Sequence, residues 1–493
     1  MNLRMIIYTV GQIIRLEAAL LLLPLVVALC YGEGCALALG LTALLALVIG
    51  TLMTFRGRPK NTVIYAPEGF VITALAWTLL SAIGALPFVI SGEIPNYIDA
   101  FFEIVSGFTT TGASILTDVE AMSHGLLFWR SFTHWIGGMG VLVLMMAIMP
   151  SNSGRTIHIM RAEMPGPVVG KLVPRVRDTA KILYLIYIGM TVVLMILLLC
   201  GGMSLFDSAV HALGTAGTGG FGIKADSVGS YSPYLQWVLT IFMLLFGINF
   251  NLYYLLLIRR VKAVTKSGEL WLYLGMVGVI TAVITANIRE LYGTFEESLR
   301  HAALQTSSIV TTTGFASVNF ETWPQLSKSL LFLLMFVGGC AGSTAGGLKM
   351  SRLLLLFKQI RRNLRSMLHP RSVNVVKMEG KPVDEVTMEN TSSYFALYAI
   401  IIAVLTVALS LFDPFEFETN FSAAVTCFNN VGPGFNEVGP AGSFAVYSDL
   451  STLLLSFAML LGRLEIYPIL LAFAPATYFS FGKRKTSKRK PIV

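Results

Sequence analysis

Charge is scarce in this chain of 493 residues: Asp, Glu, Lys and Arg together make up 13%, against about 25% in a typical soluble protein. With 55% hydrophobic residues, that deficit excludes an ordinary soluble domain. Cysteine is scarce too. Cys30, Cys35, Cys200, Cys340 and Cys427 are scattered through apolar segments and fit no metal-ligand spacing, so they are expected to be small buried apolar side chains. The six histidines are equally dispersed. No Walker loop, zinc motif or catalytic triad is present, and no enzyme is expected.

What the chain has instead is long apolar runs, such as "YLIYIGMTVVLMILLLC" and "FALYAIIIAVLTVALSLF". With their flanks, many exceed the roughly 18–20 apolar residues that cross a bilayer. The sequence therefore predicts a polytopic membrane protein. The run from Leu16 to Cys30 shows no small-residue cleavage site and is expected to be a retained helix rather than a signal peptide. Basic residues cluster at 54–60, 155–181, 259–266, 358–371 and in the tail "GKRKTSKRK". The positive-inside rule places these clusters in the cytoplasm; topology explains them, and no nucleic-acid partner is expected.

Between the basic clusters one pattern is repeated four times: an apolar helix, a short semi-polar segment, a glycine motif and a second apolar helix. The semi-polar segments are too short to span. At membrane depth such segments survive only when buried in protein or lining an aqueous cavity, so each is expected to be a re-entrant pore helix. Two further helices precede the first repeat. The expected architecture is all-α: four pseudo-repeats of helix, pore loop and helix around a central pore, with ten spans and both termini cytoplasmic. The expected units are two extra helices over 1–54, pore repeats over 62–150, 178–262, 268–358 and 391–480, a cytoplasmic linker over 359–390 and a basic tail over 481–493.

Aligned on their central glycines, the loops read "TTTGAS", "GTGGFG", "TTTGFA" and "NNVGPG". A cation entering hydrocarbon must exchange its water for oxygen ligands, and carbonyls of an extended turn supply them without fixed charge. Glycine allows successive carbonyls to face one way. The candidate ligands are Thr110, Thr111 and Gly112, Gly219 and Gly220, Thr312, Thr313 and Gly314, and Asn430, Val431 and Gly432. The acids just beyond, Asp118, Glu120, Asp226, Glu321 and Glu437, are candidates for the external mouth.

The motif "GGCAGSTAGGLK" at 338–349 interrupts what should be a returning helix. Each glycine costs a helix about 0.8–1 kcal/mol relative to alanine, so a break at membrane depth is expected. Arg463 lies inside an apolar run, where an arginine is expensive and faces a cavity or a partner; it is expected to point at the pore. Arg130, near a helix end, is expected to snorkel to the interface.

These four loops, with "FWRSFTHWIGGMGVLVL", "GGCAGSTAGGLK" and "LLGRLEIYP", make the chain resemble the TrkH/KtrB/HKT superfamily of cation transporters over essentially its whole length. The two extra N-terminal helices favour the TrkH family. The resemblance implies potassium uptake across the bacterial inner membrane through a gated, channel-like pore, with potassium bound at the filter residues and no other cofactor in the chain. It implies a gate of Gly338, Gly339, Gly342, Ser343, Thr344, Gly346, Gly347 and Lys349, with Arg463 beside it. Glycine at 112, where sodium-permeable plant members carry serine, implies a preference for potassium. The implied partners are membrane lipid, a second copy in a homodimer and a cytosolic nucleotide-binding ring of the TrkA/KtrA type. Coupled symport with protons or sodium is the first rival, with Glu103 and Glu465 as carboxylate candidates, and a less selective monovalent cation channel the second. Pro433 removes an N–H from the fourth loop and departs most from the pattern.

Overall fold

The computed structural model describes residues 2–57, 66–140, 143, 176–372 and 374–473. The basic residues at 58–60 and 155–175 and the expected tail lie outside the described residues. The described chain is a multi-pass helical membrane protein; its only strands among these residues form a two-stranded hairpin at Lys377–Met378 and Lys381–Pro382.

Six described helices are long and apolar enough to cross a bilayer, and two bent helix pairs raise the number to eight. The remaining two expected spans are His124–Met139, whose continuation lies outside the described residues, and Gln325–Leu334, cut short by the glycine motif. The outer surface is apolar, with Leu37, Val407 and Leu411 exposed, whereas Ser106, Thr111, Ser307, Ser308 and Asn430 are fully buried. Lipid on the outside and a polar axis on the inside invert the arrangement of a soluble protein. The cysteines split accordingly: Cys35, Cys340 and Cys427 are buried, but Cys30 and Cys200 are exposed, contrary to expectation, because their helix faces look outward.

The N-terminal pair, Leu3–Leu20 continuing into Leu22–Tyr31 and Cys35–Arg56, is packed by small residues. A methyl group at Gly11 would lie 2.9 Å from the Gly50 carbonyl oxygen, and one at Gly50 would lie 2.8 Å from that of Gly11. Only glycine lets two backbones approach so closely, and close approach is what holds helices together in lipid.

The semi-polar segments form four short helices: Tyr97–Phe108, Leu205–Gly217, Phe295–Val310 and Phe417–Asn429. Asn96, Ser204 and Thr294 cap the first three by accepting the N–H groups of Ile98, Asp207 and Glu297, which fixes where each helix starts. The returning helices are less regular than their apolar sequences predict. A break was expected in the third repeat alone. The second also breaks, between Pro233–Phe246 and Phe250–Leu257 with a 90° bend, and the fourth between Asp449–Arg463 and Ile466–Ala472 with a 116° bend.

Candidate functional site: a ring of four loops

Each of the four short helices ends in the same turn. The N–H two residues before each central glycine donates three residues back: Thr110 to Gly107 O, Thr218 to Thr215 O, Thr312 to Ile309 O and Asn430 to Cys427 O. The next N–H reaches five residues back, from Thr111 to Ser106 O, Gly219 to Gly214 O, Thr313 to Ser308 O and Val431 to Thr426 O, all at 2.8–2.9 Å. This is a Schellman cap, which needs a left-handed residue and usually takes glycine there. Here Thr110, Thr218, Thr312 and Asn430 occupy it with φ between 54° and 56°. A β-branched residue in that region is strained, and such strain persists only where its surroundings enforce it. The central glycines follow, also with positive φ: 80° at Gly112, 77° at Gly220, 88° at Gly314 and 102° at Gly432. Despite Pro433, the fourth loop makes the same turn.

The loops close on one another. A side chain at Gly112 would strike the carbonyl oxygen of Gly219, and one at Gly220 that of Thr313. At Gly314 it would lie 2.7 Å from the Val431 oxygen, and at Gly432 2.8 Å from the Thr111 oxygen. The order runs one, two, three, four and back to one. Four carbonyls, each from the residue before a central glycine, thus face the space that the glycine of the preceding loop leaves empty. Thr218, absent from the expected ligands, belongs with Thr110 and Thr312. The alignment had already set it two residues before Gly220, but "GTGG" lacks the threonine run that marks the others.

The threonine hydroxyls hold the turns. Thr109 Oγ1 donates to Val105 O and accepts from Thr111 Oγ1 at 2.8 Å, and Thr311 repeats this with Ser307 O and Thr313 Oγ1, also at 2.8 Å. Asn430 Nδ2 donates to Thr111 Oγ1 and to Met459 O, tying the fourth loop to the first. Among the described residues, Thr110 Oγ1 and Asn430 Oδ1 are buried and carry no hydrogen bond.

Behind the ring the quadrants differ. Nine residues before each central glycine stand Glu103, His211, Gln305 and Ala423. The Glu103 carboxylate accepts from Ser114 Oγ, from Ile115 N and from Arg130 Nε at 2.7 Å. Arg130 does not snorkel: it is 1% exposed, because its guanidinium is held by Glu103 and lies 4.0 Å from the centre of the Phe221 ring. Gln305 donates to Val318 O, and in the fourth quadrant the neighbouring Ser422 accepts from Phe435 N. None of the expected acids lines the outer cavity itself. The outer cavity, of about 290 Å³, is lined by the central glycines and by Arg130 and Lys224 as its charged residues. Glu120 instead accepts Ala225 N, Asp118 closes its own turn, and Glu321 packs against Gly439.

Below the ring lies the 338–349 segment. Gly346 N donates to Thr312 Oγ1 at 2.6 Å, so this segment touches the ring itself. It rests on the break in the second repeat: Cys340 N donates to Gly247 O, Thr344 Oγ1 to Phe246 O, and Phe250 N to Gly342 O. Gly338, Gly342 and Gly347 take φ of 73–76°, Gly339 packs against Ala345, and Ser343 Oγ donates to Cys340 O. Lys349 is buried and its ammonium donates to Ala345 O. Arg463 donates to Thr344 O at 2.8 Å and to Gly137 O and Gly138 O at 2.7 Å each. It ties the segment to the first repeat. Glu465 pairs with Arg352 at 2.6 Å.

Comparison with known proteins identifies the family and the fold. The model of the TrkH family, described as cation transport proteins, matches residues 39–274 and 289–480. The Trk system potassium uptake protein TrkH of Salmonella typhimurium is 37% identical over 482 residues, covering 96% of this chain and 99% of its own. TrkG of the Escherichia coli Trk system, also a potassium uptake protein, is 33% identical, covering 96% and 98%. The crystal structure of the potassium transporter TrkH from Vibrio parahaemolyticus superposes with a TM-score of 0.86 at 31% identity, covering 97% of this chain and all of that one.

Proposed function

Because the chain belongs to the TrkH family of cation transport proteins, we propose that it takes up potassium across the bacterial inner membrane, with the four glycine loops as its selectivity filter. The observation that carries this reading is the closed ring of carbonyls from Thr111, Gly219, Thr313 and Val431. Carbonyl dipoles replace part of a dehydrated cation's shell without binding it as tightly as a carboxylate. The four short helices each open their C-terminal ends into a loop, adding partial negative charge where the cation sits.

The 338–349 segment, with Arg463, is the gate in this reading. It lies against the inner side of the filter at Thr312, and Arg463 and Lys349 add positive charge beside the path. Opening requires the segment to leave the Phe246 and Gly247 carbonyls. Both termini and the basic clusters face the cytoplasm, where a TrkA-type nucleotide-binding ring docks and biases the gate; two copies form a homodimer, each with its own pore. Coupled symport finds less support, since Glu103 and Glu465, the carboxylates it would recruit, are paired with Arg130 and Arg352.

The test is rubidium flux into proteoliposomes driven by a potassium gradient after protonophore and sodium equilibration have collapsed the other gradients. Flux that persists and follows the potassium gradient supports the channel reading. Flux that stops with the proton or sodium gradient rejects it in favour of symport.

A further inference from the structure

The helix Met350–Leu368 begins one residue after the gate segment and carries two stripes along its outer half. Phe357, Ile360, Leu364, Met367 and Leu368 are exposed, between 47% and 77%, and fall on one face at about 100° per residue. Lys358, Arg361, Arg362 and Arg365 fall on the adjacent face. Topology alone asks only that cations lie on this side of the membrane. It does not ask that they converge, yet these four line one groove of about 230 Å³ with Lys377 from the small hairpin. Lys358 Nζ donates to Lys377 O at 2.8 Å, closing one end. Among the described residues only Arg362 of the five pairs with a carboxylate, that of Glu385 at 2.7 Å.

We propose that this groove binds the phosphate headgroup of an anionic membrane lipid, with the apolar stripe seated among the acyl chains beside it. A helix with an apolar face next to a cationic one lies in the interface plane, and a basic cluster next to a span attracts anionic headgroups. Guanidinium groups match phosphate with paired N–H donors, so arginine at 361 and 365 suits this ligand better than lysine. An acidic soluble partner would complement the cations but leave the stripe uncovered. The proposal rests on membrane embedding and not on the transport reading, so the two stand or fall separately.

The test is intact-protein mass spectrometry of the full chain in detergent with phosphatidylglycerol or phosphatidylcholine at equal concentration. Native protein should carry phosphatidylglycerol adducts preferentially. Arg361→Gln with Arg365→Gln should cut them about tenfold, a loss of some 1.4 kcal/mol, leave phosphatidylcholine adducts unchanged and leave the melting temperature in detergent unchanged. Leu364→Ser with Met367→Ser should weaken the same adducts with the cations intact. Equal adducts for both lipids, or no loss in the arginine variant, would overturn the proposal. So would full displacement by free glycerol phosphate at lipid concentration, which would mark a soluble phosphate site. A stripe variant that changes the chain's oligomeric mass instead of its lipid adducts would assign the face to a second copy.

Discussion

The ring and the layer beneath it are built from the same four repeats, yet one keeps their symmetry and the other abandons it. In the ring, every loop has the same cap, a left-handed residue at the same position and a positive-φ glycine two residues on. Beneath it, the second and fourth returning helices bend by 90° and 116°, and the third gives way to fifteen non-helical residues, 335–349, which bond to both bends. A cation shell needs equal oxygens on all sides, so symmetry is kept where oxygens must converge. In the proposed reading a gate needs one element free to move against three that stay, and below the ring the repeats do diverge.

The comparison can be broken most severely at the brace of the first quadrant. Glu103→Ala leaves Arg130 buried without its carboxylate; breaking such a pair costs about 3–5 kcal/mol. A large fall in melting temperature in detergent and loss of rubidium uptake are expected, whereas Ala423→Ser at the corresponding place of the fourth quadrant should change little. Equal effects would mean that the braces do not differ as described. Next comes the lower layer. Arg463→Gln removes charged hydrogen bonds to Thr344, Gly137 and Gly138, each worth about 1.5–3 kcal/mol. Cation leak through vesicles should rise by about tenfold or more, the equivalent of 1.4 kcal/mol; unchanged flux would remove Arg463 from the gate. The smallest effect sharpens the symmetry itself. Thr109→Val and Thr311→Val delete matching hydrogen bonds, about 1 kcal/mol each, and should depress uptake by similar factors. A variant that is silent in one loop and severe in the other would show that the first and third quadrants are not equivalent.

The sequence announces the repeat architecture because re-entrant helices and their glycine loops violate what lipid tolerates, four times at matching intervals. It announces the loops of the first and third repeats most clearly, since their tripled threonines recur. What it hides is pairing across distance. Glu103 and Arg130 are 27 residues apart in sequence, and an arginine near a helix end looks like an interfacial one until its partner is seen. The breaks near Gly247 and Glu465 are hidden for another reason: one glycine or one acid in an apolar run is compatible with a straight helix, and only the neighbouring 338–349 segment and Arg352 show why the helix ends there. The outer acids mislead because Asp118 and Glu120 spend their carboxylates on a local turn and on a neighbouring loop.

The central claim is that the four glycines form one cation filter, and it is tested most directly at Gly314. Its φ of 88° and the Val431 oxygen at 2.7 Å from a would-be methyl leave no room for a side chain. Gly314→Ser, reconstituted in proteoliposomes beside native protein, should displace the ring carbonyls and lower the ratio of potassium to sodium flux by about tenfold, a differential of about 1.4 kcal/mol between the two ions. A variant that transports at the native rate with an unchanged ratio would contradict the filter.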